Sequence, residues 1–288
     1  MLAAVPRVEA VTSYPVKGCA GVTVRAAHFG PAGAPHDRAF MVTDTAGVFR
    51  SQRGDPRLAL IRPRVSEDGS RLTLEAPGLD PLDIPVTAAG PVRPVTLFGK
   101  PYGAIDQGAD AAAWFSEALA APSRLVRVPP DHARVTDGLT PGTSGYADSS
   151  AVHLLSVASL DDLNARIAAS GGPPLPMDRF RPNIVVTGWP DPYTEDRVRE
   201  AAVGGALLGW TKAAVRCAVT LVDQASGARS GPEPLRTLAR YRRQARAGTG
   251  GGGGVSFGAK FSVVRPGRVA VGDEIRVTTW DDTGAVPA

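Results

Sequence analysis

The pattern of hydrophobic and polar positions in the first hundred residues predicts short β-strands separated by turns. Leu72–Glu75 alternates between the two classes directly after Glu67-Asp68-Gly69, which is typical of a β-hairpin. Further strands are predicted at Ala39–Thr43, Leu58–Arg62 and Val92–Leu97. Because proline and glycine lie in the gaps between these segments, we expect this part of the chain to be built mainly from strands.

Helical spacing of hydrophobic residues occurs at three places. Asp110–Ala121 has this spacing and ends before Pro122, which predicts a helix. Ser159-x-x-Asp162 resembles a capping box and indicates the start of a second helix. The hydrophobic face of that helix is formed by Leu160, Leu163 and Ile167. A third helix is predicted at Leu235–Ala245.

The second half of the chain also contains several predicted strands. These are Ala151–Ser156, Asn183–Thr187, Ala213–Val222, Phe261–Val264 and Arg268–Thr278. Alternation along Ala213–Val222 places Cys217 on one face with Val215, Val219 and Leu221, and a cysteine in such company is commonly a buried hydrophobe. Pro129–Gly145 is predicted to be a long loop or an inter-domain connection, and Gly248–Gly254 a mobile lid or a plain linker.

Length and composition narrow the class of protein. A chain of 288 residues suffices for about two domains. Hydrophobic residues make up 43% and charged residues 21%, which excludes mostly disordered, fibrous and membrane-spanning chains. The 33 glycines and 26 prolines favour many turns and a β-rich fold. No signal peptide or long apolar run is visible and two cysteines form no disulfide framework, so we predict a cytoplasmic protein without a membrane partner.

The basic residues are nearly all arginines, and the formal net charge is +4. Because these arginines are scattered along the chain, the sequence does not favour a nucleic-acid partner. The densest run comprises Arg236, Arg240, Arg242, Arg243 and Arg246. This run is either the solvated face of a helix or a docking site for an acidic partner.

Candidate chemistry lies in short polar segments, because the four histidines lack metal-ligand spacing and no nucleophile-elbow or phosphate-loop motif is present. The candidate anion binders are Lys17, Arg38, Arg181 and Arg216, and an arginine can hold a phosphate through two parallel hydrogen bonds. Neutral donors nearby in sequence are Ser149, Ser150 and Asn183. Cys217 is the one soft ligand in these segments. Alternatively, the arginines pair with neighbouring carboxylates such as Asp37 or Asp178.

Taken together, these segments resemble the MOSC superfamily in its two-part form, and within it the amidoxime-reducing members. Matches to the first part are Tyr14-Pro15-Val16-Lys17, Asp37-Arg38, Arg50-Ser51-Gln52-Arg53 and Asp106-Gln107-Gly108. Matches to the second part are Asp148-Ser149-Ser150, Phe180-Arg181-Pro182-Asn183, Arg216-Cys217 and Val271-Gly272-Asp273. No single motif is decisive, but their joint order and spacing are specific.

The resemblance implies an α+β, β-rich fold. An N-terminal MOSC β-barrel domain is expected at residues 1–130, packed on a C-terminal MOSC β-barrel domain at residues 131–282 with peripheral helices. A ligand is expected in the cleft between the two parts.

The resemblance also implies a molybdenum cofactor, Mo-molybdopterin, with the metal ligated by Cys217. The implied cofactor contacts are Lys17, Gly18, Arg38, Ser149, Ser150, Arg181, Asn183, Val215, Arg216 and Lys260. Asp148 stands where a carboxylate can relay a proton near the metal. Two positions depart from the amidoxime reducers, which have a serine at Gly18 and a tyrosine at Lys260, and these departures leave cofactor form and substrate choice open.

The leading functional hypothesis is a molybdenum-dependent oxidoreductase that reduces N-hydroxylated or N-oxide compounds. Its electrons would come from a separate partner, such as a ferredoxin, a cytochrome or a flavin reductase. One alternative is a sulfur-transfer enzyme that carries a persulfide on Cys217. The other is a non-catalytic carrier of the cofactor.

Overall fold

A computed structural model describes residues 5–243 and 254–281. The strands of its first half are β1 (Arg7–Ser13), β2 (Val16–Lys17), β3 (Val22–Val24), β4 (Ala26–Phe29), β5 (Phe40–Thr43), β6 (Arg62–Val65), β7 (Arg71–Glu75), β8 (Leu82–Pro85), β9 (Val92–Leu97), β10 (Lys100–Asp106) and β11 (Arg124–Arg127). Those of the second half are β12 (Val135–Thr136), β13 (Gly142–Thr143), β14 (Val152–Ser156), β15 (Ile184–Thr187), β16 (Val198–Val203), β17 (Ala206–Arg216), β18 (Val222–Asp223), β19 (Ala228–Arg229), β20 (Val255–Arg265), β21 (Gly267–Ala270) and β22 (Ile275–Trp280). The helices in these ranges are α1 (Ala109–Leu119), α2 (Val157–Ala169), α3 (Thr194–Arg197) and α4 (Leu235–Leu238). The predicted β-rich α+β class is confirmed.

The largest sheet joins both halves of the chain. Its eight strands lie in the order β22-β16-β17-β20-β14-β15-β1-β3. Strand β1 pairs antiparallel with β15 on one side and with β3 on the other. Val11 on β1 and Phe261 on β20 belong to one buried hydrophobic cluster under this sheet. The N-terminal strand is therefore an interior strand of a sheet made mostly from the second half.

A second sheet is built from the first half alone. Its five strands lie in the order β2-β5-β11-β10-β9, and α1 packs against β11. Ala111, Phe115 and Leu119 repeat at helical spacing along α1 and are buried in the core of this part. Strands β6, β7 and β8 form a separate antiparallel sheet that contributes Leu72 and Leu74 to the same core.

Most of the predicted elements are confirmed, but some need correction. Leu58–Arg62 is not a strand, because a 3₁₀ turn covers Pro56–Leu60 and β6 begins only at Arg62. Helix α2 is capped by Ser156, whose side chain accepts a hydrogen bond from the Ser159 backbone N–H, and not by Ser159. The helix predicted at Leu235–Ala245 is a single turn, α4, within the residues described.

The arginine run does not form one solvated face. Arg242 is buried and forms an ion pair with Asp196, whereas Arg236 pairs with Glu233 at 2.8 Å and is half exposed. Arg246 and residues 248–253 of the predicted glycine loop lie outside the described residues. No helix within the described ranges combines the length and apolarity needed to cross a membrane. The cytoplasmic location stays a prediction.

The segment Ala213–Val222 differs most from its prediction. Strand β17 ends at Arg216, and a 3₁₀ turn occupies Ala218–Leu221. The Thr220 backbone N–H and hydroxyl both donate to the Cys217 carbonyl oxygen, at 3.0 and 2.9 Å. Cys217 therefore lies at the strand end and is exposed, so the prediction of a buried cysteine on a continuous strand face is wrong.

Candidate functional site

A cavity of about 450 Å³ is lined by residues from both halves of the chain. The cavity is lined by all of the predicted site residues: Lys17, Gly18, Arg38, Asp148, Ser149, Ser150, Arg181, Asn183, Val215, Arg216, Cys217 and Lys260. Further lining residues that were not among the predicted site residues include Phe49, Gln52, Arg53, Phe98, Phe180 and Lys212. The structure thus brings together segments that are far apart in the sequence, and their roles in binding or catalysis stay predictions.

Two of the cavity arginines have backbone conformations that L-residues rarely adopt. Arg38 has a φ of 48° and Arg181 a φ of 56°. Left-handed backbone at a bulky residue costs free energy and persists only where surrounding contacts hold it. Such strain concentrates at functional sites, so these two positions are where we expect ligand contacts.

Asp37 fixes the position of Arg38 and Asn183. Its carboxylate accepts hydrogen bonds from the Tyr14 backbone N–H at 2.8 Å, the Arg38 guanidinium at 2.5 Å and the Asn183 amide at 2.9 Å. Asp37 itself is buried. A charge that is removed from water needs such compensation, and this network connects the segment before β5 with the segment before β15.

The ring of Tyr14 lies beside both of the strained arginines. The guanidinium carbons of Arg38 and Arg181 are each 4.3 Å from its ring centroid, within the range of cation–π attraction. The Tyr14 hydroxyl donates to the Pro182 carbonyl oxygen at 3.2 Å, and burial raises the Tyr14 pKa to about 12. The neutral ring therefore offsets part of the repulsion between two adjacent cations.

A pair of glutamines contacts further residues of the cavity wall. Gln52 and Gln224 exchange hydrogen bonds between their side-chain amides at 3.0 and 3.1 Å. Gln52 also donates to the Gly18 carbonyl oxygen at 2.6 Å, and Gln224 accepts from Arg181 at 3.2 Å. Gln224 and Asp37 were not among the predicted site residues. The ion pair of Asp37 with Arg38 agrees with the alternative that the arginines pair with neighbouring carboxylates. The contacts of Gln224 with Gln52 and Arg181 join distant segments, so the sequence gives no direct signal for Gln224.

Lys17 and Asp148 form an ion pair on the cavity wall. Burial lowers the pKa of Lys17, and the Asp148 carboxylate opposes this shift. Burial alone would raise the pKa of Asp148, but Lys17, Lys260 and Arg38 together hold it well below its usual range. Protein atoms enclose the cavity around Asp148, yet 62% of the surface of its side chain faces the open space of the cavity, so the pair can exchange contacts with a ligand.

Lys260 is a cavity cation that can lose its charge near neutral pH. Burial lowers its pKa to about 7, and the charges of Arg216 and Arg38 act in the same direction. The ammonium is therefore charged below pH 7 and neutral above it. A bound anion would favour the charged form and raise this pKa.

This titration predicts a pH-dependent affinity of the protein for sulfate, an anion whose own charge is constant over this range. We expect sulfate to bind about tenfold more tightly at pH 6 than at pH 8.5, the effect of one additional nearby charge. Calorimetric titration checks this. Lys260→Met should bind sulfate with little pH dependence, whereas Lys212→Met should keep it. An equal pH dependence in wild type and Lys260→Met would contradict the assignment to Lys260.

Three residues that line the cavity each contain a buried side-chain atom that has no hydrogen-bond partner among the described residues. Ser150 Oγ, Arg181 Nη2 and Arg216 Nε are buried and have no hydrogen-bond partner within the described part of the chain. Leaving a buried donor unpaired costs free energy, so such groups are usually satisfied by a ligand or water. Phosphate oxygens are acceptors of the right charge, and these residues therefore fit the phosphate of a pterin cofactor.

The two cysteines have opposite environments. Cys19 is buried in the hydrophobic core of the first half, and burial raises its pKa to about 12. Cys217 is exposed and lines the cavity. Among the described residues, no group of three or more His, Cys, Asp and Glu side chains is arranged to hold a metal ion. A metal here would thus need most of its ligands from a cofactor, with Cys217 as a soft protein ligand.

The fold and the site define a strand-rich protein with a cation-lined cleft and an accessible cysteine. Such a cleft suits an anionic ligand that can also bind the sulfur atom of that cysteine. Family models of the MOSC N-terminal beta barrel domain and the MOSC domain match residues 5–122 and 141–276. The chain belongs to the MOSC family.

Individual known proteins are similar to this chain over much of its length. Mitochondrial amidoxime reducing component 2 of Rattus norvegicus is 33% identical over 284 residues, covering 93% of this chain and 82% of the relative. The molybdenum cofactor sulfurase of Oryza sativa subsp. japonica is 30% identical over 254 residues, covering 82% of this chain but 31% of the relative. Among solved structures, the YUAD protein of Bacillus subtilis is 13% identical with a TM-score of 0.38, covering 94% of this chain and 93% of that chain.

Proposed function

We propose that this protein is a molybdenum-cofactor-dependent oxidoreductase that reduces N-hydroxylated or N-oxide compounds. The observation that carries the proposal is the exposed thiol of Cys217 on the wall of a cavity that is also lined by the cations Arg38, Arg181 and Arg216. The name of the amidoxime reducing component supports the reduction of N-oxygenated compounds, and the name of the molybdenum cofactor sulfurase supports a link to the molybdenum cofactor.

We assign the cofactor contacts by chemistry. Arg38, Arg181 and Arg216 would hold the phosphate, together with the hydroxyl of Ser150. Cys217 would bind the metal through its thiolate, since soft sulfur suits a metal that dithiolene sulfur already coordinates. When bound, the molybdenum would supply the two-electron redox chemistry.

Other charged residues of the cavity would donate protons or orient neighbouring groups. Reduction of an N–O bond to water consumes two protons, so a proton donor near the substrate is required. Lys260 Nζ suits this role, because a pKa of about 7 permits both protonation and release near neutral pH. Asp148 stays ionised beside Lys17, so its proposed part is to orient that ammonium, and the proton relay predicted for it stays a prediction. Electrons would come from a separate redox protein.

Two measurements test the proposal. The protein, expressed in a host that makes the cofactor, should contain about one molybdenum per chain by elemental analysis. With a reduced viologen dye as electron donor, the loaded protein should convert benzamidoxime to benzamidine. Failure of a fully loaded sample to reduce benzamidoxime would contradict the substrate class. A well-folded sample without molybdenum would contradict the cofactor.

Sulfur transfer is the second candidate, favoured by the exposed position of Cys217 and by the sulfurase relative. In this case a donor protein that carries a persulfide would transfer its outer sulfur atom to the Cys217 thiol, which gives a Cys217 persulfide and leaves the donor as a thiol. Mass spectrometry would then show one added sulfur atom at Cys217 in protein that contains no molybdenum. If no sulfur atom is added at Cys217 after incubation with a cysteine desulfurase and cysteine, sulfur transfer is contradicted.

A further inference from the structure

An aromatic pair at the rim of the cavity is not explained by anion binding. Phe98 and Phe49 both line the cavity, and their rings meet edge to face with centroids 4.9 Å apart. Phe49 packs on a buried cluster that includes Leu97, whereas Phe98 is 44% exposed. A large aromatic side chain is therefore presented to solvent at the entrance of a cationic cavity.

The backbone at Phe98 is unfavourable for this residue. Phe98 and Gly99 form the two-residue loop between β9 and β10, with φ values of 53° and 75°. Two positive φ values are those of a type I′ turn, whose first position favours asparagine and disfavours bulky residues. Phenylalanine thus occupies a position where it neither stabilises the turn nor becomes buried. Strain of this kind at a cavity rim indicates a role outside folding.

The surroundings of Phe98 indicate what it would contact. The Lys17 ammonium is 5.0 Å and the Arg53 guanidinium carbon 5.9 Å from its ring centroid, so cations already lie next to the ring. Further inside, Arg38, Arg181 and Arg216 line the same cavity. A cationic substrate would be repelled by this surface, whereas an uncharged flat ring can stack against Phe98 without that cost.

We propose that Phe98, supported by Phe49, is a specificity-determining residue that selects uncharged N-hydroxylated substrates with a flat aromatic body. This inference rests on the proposed function, because it deepens the substrate class of the same cavity. An alternative role for Phe98 is to cover the ion pair of Lys17 and Asp148, in which case the type of substrate would not matter.

The test compares benzamidoxime with acetamidoxime, which carries the same reacting group without a ring. In Phe98→Asn we expect the KM for benzamidoxime to rise about tenfold with kcat unchanged, while the KM for acetamidoxime stays within about twofold. Because Asn-Gly suits the type I′ turn, the same variant should unfold at the same or a higher temperature than wild type. Phe98→Tyr keeps the ring and should keep the wild-type KM.

Direct binding separates failure of this inference from failure of the proposed function. Saturation-transfer NMR on the molybdenum-loaded protein should detect benzamidoxime bound to wild type and more weakly bound to Phe98→Asn, whether or not the probe is turned over. If Phe98→Asn binds benzamidoxime and acetamidoxime more weakly by the same factor, the role of Phe98 is to cover Lys17 and the inference is overturned. Unchanged benzamidoxime binding in Phe98→Asn, or no binding of benzamidoxime to wild type, would also overturn it. If benzamidoxime binds through Phe98 but is not reduced, the proposed function fails and the aromatic site stands.

Discussion

Replacing Cys217 by serine is expected to lower the rate of benzamidoxime reduction by more than about a hundredfold, because a hard hydroxyl is a poor substitute for a thiolate at molybdenum. The molybdenum content of the purified variant should fall, or its metal spectrum should change. The unfolding temperature should be unchanged, since Cys217 is exposed at a strand end and the hydrogen bonds that form the following turn use its backbone carbonyl oxygen. Elemental analysis, donor-coupled turnover and thermal unfolding together check these expectations.

The second cysteine provides a matched control. Cys19 is fully buried among core residues, so Cys19→Ala should lower the free energy of unfolding by about 1 kcal/mol while leaving turnover and molybdenum content near wild type. We therefore expect opposite results from the two variants. Cys217→Ser should lose function and keep its stability, whereas Cys19→Ala should lose stability and keep its function. A Cys217→Ser protein with normal metal content and rate would remove Cys217 from the proposed site.

Replacing Asp37 by alanine should destabilise the protein by about 3 kcal/mol, because the change leaves Arg38 largely buried without its counter-charge. It also removes the acceptor for the Asn183 amide and the Tyr14 backbone N–H. The strained conformation of Arg38 loses a contact that holds it, so sulfate affinity should fall together with stability. Chemical denaturation and calorimetry measure the two effects.

A surface ion pair serves as the comparison for Asp37. The Asp137 side chain is 90% exposed and pairs with Lys212 at 2.6 Å. Asp137→Ala should therefore cost less than about 1 kcal/mol. Asp37→Asn keeps a side-chain acceptor and should lie between wild type and Asp37→Ala. If Asp37→Ala were no more destabilising than Asp137→Ala, the three-way network around Asp37 would have no energetic importance.

Elements with a strong local pattern could be predicted from the sequence. The strand at Val92–Leu97 and the helix α1 match their predictions because alternation and helical spacing act within a few residues. Leu58–Arg62 failed because Pro56 fixes the backbone at the start of a 3₁₀ turn, and the hydrophobic residues beside it suit either structure. The end of β17 could not be predicted, because the hydrophobic residues continue beyond it to Val222. The strand ends since hydrogen bonds from Thr220 to the Cys217 carbonyl oxygen form a turn there.

Some residues of the candidate site could be predicted from the sequence, and others could not. Residues that carry a charge, hydroxyl or thiol in a motif, such as Arg38 and Cys217, could be named in advance and line the cavity. Residues that act through distant partners could not, because the contact between Gln52 and Gln224 exists only in the folded chain. Phe98 shows a further limit, since only its backbone conformation distinguishes it from an ordinary strand-end hydrophobe.

The place of β1 in the largest sheet determines when the cavity can form during synthesis. Val11 on β1 pairs with Val24 on the neighbouring β3 and with Ile184 on β15, so one edge of β1 stays unpaired until a segment more than half of the sequence later has been made. At the usual rates of translation this wait lasts roughly 10–30 s, and pairings between such distant segments also form slowly. Arg181 and Asn183 precede β15, and Lys17 follows β1, so the cation-lined cleft is assembled only by this late pairing. A nascent chain would therefore have no complete cation-lined cleft until β15 and the cavity residues after it have been made, so any ligand of this cleft can bind only after that point.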